Sequence, residues 1–126
     1  MSIAFYIAWT IAVVLIVIGI YALVAPHRLG RGYGVPVEGH GAAGFVRATG
    51  VRDIAFGVAL AASAYFHSMS LLIVLAVAGI VVSIVDFAIV WHHGHARRLH
   101  AAHAVHASGV VAFILIIARA LFAIGR

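Results

Sequence analysis

From Ile3 to Val24 the chain carries no charged residue, no Pro and a single Gly, at Gly19. A run of that length reaches the roughly 20 apolar residues that a helix needs to cross a bilayer core. No other segment limits the fold as tightly. A cleaved leader is the rival, but Met1-Ser2 holds no basic residue and the apolar stretch is too long for a leader's hydrophobic region, so a retained helix is expected. Pro26 closes it, because the residue before a proline is pushed out of helical geometry.

The rest of the composition agrees with a membrane setting: 66% of the 126 residues are hydrophobic and 9% are charged. A soluble domain of this size could not bury so much apolar surface, and the length allows one domain. Cys is absent, which excludes disulfides, thiolate chemistry and Cys-bound zinc or iron–sulfur centres.

The spacing of apolar runs predicts an all-α fold, a four-helix transmembrane bundle occupying 1–126 as a single domain, with spans at 3–24, 42–66, 70–91 and 101–123. Between the first two, 26–41 carries Gly30, Gly32, Gly34, Gly39, Gly41 and Pro36 and is expected as a loop. Its Gly-Arg-Gly-Tyr-Gly run matches no nucleotide-binding fingerprint. The second span must begin before Arg47, since the uncharged part from Ile54 to Phe66 covers only about 20 Å at helical rise. His67-Ser68-Met69 is a tight turn. Gly57 with Ala61, and Ala104 with Ser108 and Ala112, recur four apart, the pattern by which membrane helices approach closely.

The net charge of +5 comes from eight Arg and no Lys against Glu38, Asp53 and Asp86. Arg28, Arg31, Arg97 and Arg98 all fall in the first and third connections of a four-span chain. The positive-inside rule makes that side cytoplasmic and places both termini outside, as in a multi-pass protein of a bacterial inner membrane. These basic connections predict attraction to anionic lipid headgroups and no nucleic-acid partner. Arg47 and Arg119 are expected to snorkel toward the interfaces.

Arg52 and Asp53 lie where hydrocarbon should surround most side chains. An ionised group there costs at least about 2.5 kcal/mol on insertion scales, so it faces the bundle interior and finds a partner. Counting at helical rise puts Asp53 about 10 Å below the cytoplasmic edge and Asp86 and His106 about 5 to 8 Å below it, in one layer. Neighbouring helical residues diverge by about 100°, so Arg52 and Asp53 are not expected to face each other. Asp86 is the expected partner of Arg52, with Asp53 left to a histidine, a hydroxyl or Arg47.

Imidazoles crowd the third connection: His92, His93 and His95 precede His100, His103 and His106, which step by three along the last helix. Neutral imidazole can ligate metal and titrates near neutrality. No pair of His four apart with an intervening Glu is present. His92, His93 and His95 are therefore only weak metal candidates, an interfacial helix start is the simpler reading, and no cofactor is expected.

At Gly50-Val51-Arg52-Asp53, with Gly57 one turn or so later, Asp86 late in the third span and His103 opening the fourth, the chain resembles small four-helix membrane proteins of bacteria and fungi known as a domain of unknown function, similar in size and layout to DoxX-like proteins. The resemblance implies fold and membrane location across nearly the whole chain. It implies little about activity.

Two functional classes follow, with a structural one behind them. In the first, Arg52, Asp53, Asp86, His103 and His106 line a pocket that binds or moves a small polar or amphipathic molecule, Arg52 and the carboxylates orienting a polar or anionic group. In the second, Asp53 or Asp86 is the acid and His103 or His106 the base of an isomerase, cyclase or hydrolase acting on a lipophilic substrate. In the third, the charges merely orient helices in an interaction subunit. Self-association is expected where a chain this small must enclose a path.

Overall fold

Helices account for nearly all of what the computed structural model describes, residues 2–33, 37–93 and 99–124. In chain order they are α1 (Ile3–Val24), α2 (Pro26–Gly32), α3 (Gly39–Tyr65), α4 (Met69–His93) and α5 (Leu99–Ile124). Extended Ser2 caps α1, its Oγ accepting from the Ala4 N–H at 3.4 Å, which relieves one of the donors a helix start leaves unpaired. Ala25 ends it, donating its N–H to the Tyr21 carbonyl at 2.8 Å.

The segment 26–41, expected as a loop, is helical over Pro26–Gly32. Pro26 takes the first helical position, where its fixed φ and missing donor are favourable. Each Gly weakens a helix by about 1 kcal/mol relative to Ala, yet Pro26 and Gly30 are buried, so packing against α1 and α3 outweighs local propensity. His27 Nδ1 lies 3.0 Å from the Val37 carbonyl and ties α2 to the chain leading into α3.

α1, α4 and α5 are each long and apolar enough to cross a membrane. α3, although the longest at 27 residues, is not among them, because Arg47, Arg52 and Asp53 interrupt its apolar face.

Two antiparallel pairs make the bundle, α1 on α3 and α4 on α5, with fewer contacts between pairs. A Cβ placed on Gly50 would meet both the Ala22 Cβ and the Gly19 carbonyl oxygen at 2.7 Å, and one on Gly57 would meet the Ala12 carbonyl at 2.8 Å. The backbones of α1 and α3 therefore approach to a distance only glycine permits. Gly50 and Gly57, seven apart, make this approach, and Ala61, one turn beyond Gly57, packs half-buried against the core. Ala104 and Ser108 face outward and take no part in the seam. In the second pair Gly79 lies beneath the Phe113 ring, and Gly109 faces Ser83 Oγ.

The dry core gathers at the end of the bundle where α1 and α4 start and α3 and α5 finish. Phe5, Leu60, Leu72 and Ile116 are buried there among Ala4, Ala8, Ala64 and Ala76. Ser63 is buried with them and donates its hydroxyl to the Leu60 carbonyl at 2.8 Å. A left-handed residue, His67 at φ 52°, closes α3. The Ser68 N–H then returns to the Ser63 carbonyl at 2.9 Å, the bonding that ends many helices, and the His67 ring meets Phe5 edge-on.

Candidate functional site

The opposite end holds the charges. Arg52 on α3 reaches across to α4, where its terminal nitrogens meet the two Asp86 oxygens at 2.9 and 3.4 Å. This fork matches the planar guanidinium to a carboxylate and is stronger than a single hydrogen bond. Arg52 also holds Asp53, through Nε at 3.2 Å and a terminal nitrogen at 3.1 Å, both to Oδ1. The expectation that these neighbours would look in different directions is therefore corrected. Their Cα–Cβ bonds diverge, but the arginine stem is long enough to fold back over the adjacent carboxylate, so one guanidinium serves both.

Arg47 is not the partner of Asp53. Its Nε donates to the Leu23 carbonyl at 3.3 Å, one of the last α1 carbonyls that lack a partner within the helix. The side chain remains exposed and fastens the end of α1 to α3.

The two expected histidines separate. His106 joins the cluster and lines the same cavities as Arg52, Asp53 and Asp86. His103 instead packs on Phe87 and Trp91, with centroids 4.5 and 5.2 Å away, and its buried Nε2 has no hydrogen-bond partner among the described residues. The three-residue step on α5 rotates the ring away from the carboxylates. Among the metal candidates, His92 is exposed. His95 and the side chain of His93 lie outside the described residues, and among the described residues no group of three possible ligands converges.

Tyr33, at the end of α2, belongs to the site and was not singled out from sequence. Its ring lies 5.9 Å from that of His106, and it lines all three cavities at this end. Burial raises the pKa of its phenol first, and the negative charges of Asp53 and Asp86 raise it further. It stands at neutral pH as a protonated hydroxyl. The available signal was an aromatic residue isolated in a Gly- and Arg-rich connection.

Two of those cavities share the ion cluster as a wall. The inner one, about 130 Å³, runs between the helix pairs toward Leu15, Phe56 and Phe113. The outer one, about 310 Å³, lies under α2 and between α3 and α4, against Phe45, Thr49 and Ile89. Ile18, Tyr33, Arg52, Asp53, Asp86 and His106 line both. The triad thus stands at the boundary between an inner, mostly apolar space and a more open groove.

A family model described as a domain of unknown function, DUF4267, matches residues 12–120. The chain belongs to the DUF4267 family. The match covers the Arg52 cluster and all four long helices in whole or in large part, so the site lies within the DUF4267 domain itself. No curated protein and no solved structure matches the chain.

Proposed function

We propose that this DUF4267 protein is a four-span integral membrane protein that binds a small amphipathic molecule at the end of the bundle carrying the basic connections. One observation carries this reading: the Arg52–Asp53–Asp86 triad lines both an inner, mostly apolar cavity and a more open groove. A ligand seated there would set its polar head against the triad, Tyr33 and His106 and its apolar part against Phe56 and Phe113. Ligand pockets commonly combine an apolar wall with a few fixed polar groups. The inner volume is close to the roughly 150 Å³ of an engineered apolar cavity that takes up benzene, so the part bound there would be small.

α3 would be the fourth span, its charges tolerated because they face Asp86 and the groove instead of lipid. Four spans put Arg28, Arg31, Arg97 and Arg98 on one side, which the positive-inside rule makes cytoplasmic. The groove would then open near the cytoplasmic headgroups.

Native mass spectrometry of the detergent-purified protein is expected to show a retained small molecule that Arg52→Ala loses. A bare wild-type chain, together with an Arg52→Ala variant of unchanged fold, would defeat the proposal. An acid–base enzyme is the second reading, favoured by the contact of Tyr33 with His106 beside two carboxylates. Asp86→Asn separates the two, since an enzyme would keep its ligand and lose turnover whereas a binder would lose affinity.

A further inference from the structure

We propose that the molecule taken up at this site is a cation, an amphiphile with one ammonium-type head, and that it reaches the site sideways between α3 and α4. The inference rests on the binding reading above and adds to it the sign of the ligand's charge and its route.

The sign comes from counting. Asp53 and Asp86 bring two carboxylates, and among the described residues Arg52 is the only Arg or Lys lining either cavity. With the carboxylates ionised and the imidazole neutral, the cluster is one positive charge short. Four of the five guanidinium N–H donors are engaged: Nε is committed to Asp53, one terminal nitrogen gives a single bond to Asp86 and the other bonds both. An incoming anion would find a single free N–H of Arg52 and would lie beside two carboxylates. A cation finds unused carboxylate lone pairs and the missing charge.

One further observation agrees. Burial first, and then the negative charges of Asp53 and Asp86, raise the pKa of the Tyr33 phenol, so the carboxylates are felt at that wall of the cavities.

The route follows from packing. α3 and α4 belong to different helix pairs and touch sparingly. The outer groove opens along this seam, where Phe45 and Ile89 are 79% and 51% exposed and the Arg52 side chain is 43% exposed. An amphiphile dissolved in the bilayer meets an apolar lip first and the carboxylates behind it.

The test uses the intact protein in maltoside micelles, titrated calorimetrically with octyltrimethylammonium, octyl sulfate and octanol, with protein-free micelles subtracted. The ammonium compound is expected to bind saturably and at least about tenfold more tightly than the other two. Asp86→Asn and Asp53→Asn should each weaken it by about tenfold. Octyl sulfate binding that Arg52→Gln abolishes would overturn the cationic assignment and leave the binding function standing. Ammonium binding indifferent to both carboxylates would overturn its location. Saturable binding of none of the three would overturn this proposal and the binding function together. Should a carboxylate variant fail to fold, the comparison of three head groups on the wild type still decides the sign.

Discussion

The two ends of the bundle are built on opposite principles from the same four long helices. At one end Phe5, Leu60, Leu72 and Ile116 fill the space between helices, and the one buried hydroxyl, Ser63, satisfies itself on its own backbone. At the other, side chains of unlike chemistry leave two cavities and hold one another by charge. In a bilayer, helices gain no hydrophobic free energy by leaving lipid for one another, so close packing must supply the adhesion. The dry end and the Gly19–Gly50 and Ala12–Gly57 crossings do so, which allows the other end to remain open.

That division predicts which substitutions damage the fold and which damage the site. Leu60→Ala should have the largest effect on stability, about 3 kcal/mol for a buried leucine whose cavity cannot collapse. Denaturation in mixed micelles measures it, and ligand affinity should be unchanged. An equal loss of affinity would mean that the ends are not separable.

Arg52→Ala should cost less, about 2 kcal/mol. Breaking a fully buried pair is dearer, but the half-open groove screens this one. Ligand retention should disappear. Arg52 and Asp86 should also couple in a double-mutant cycle, by about 1 kcal/mol or more. Independent effects of Arg52→Ala and Asp86→Ala would dissolve the triad as a unit.

Gly50→Ala should destabilise by about 1 to 2 kcal/mol through overpacking against Ala22 and the Gly19 carbonyl. Because Gly50 lies within a turn of Arg52, its affinity change sharpens the comparison: a small one means that α3 shifts as a rigid body, a large one that the triad tolerates no displacement. The smallest effect on stability belongs to Tyr33→Phe, below about 0.5 kcal/mol. It removes only a hydroxyl, and a severalfold loss of affinity in the same titration would place that hydroxyl on the ligand.

Periodicity and composition made the long helices legible, since a charge-free run such as Ile3–Val24 has one stable form in lipid. They also marked Arg52, Asp53 and Asp86, because charge in such surroundings is costly enough to need a reason. Local rules failed where a long side chain or a tertiary contact intervened. The 100° rule describes where Cβ atoms point and not where a guanidinium several bonds away arrives, so it separated Arg52 from Asp53 wrongly. Glycine content describes a free segment, so it missed α2, which packing stabilises, and with α2 it missed Tyr33. Spacing by three treated His103 and His106 alike, although only one faces the carboxylates.

By itself, then, the sequence determined that apolar helices would form and marked Arg52, Asp53 and Asp86 as the charges that interrupt them, because an apolar run has few alternatives to a helix and a charge within one needs a partner. Only the tertiary structure decided that one arginine would serve two carboxylates. The same folding brought Tyr33 and His106 beside them and left a cavity on either side, because those outcomes depend on how two glycine-tight helix pairs meet.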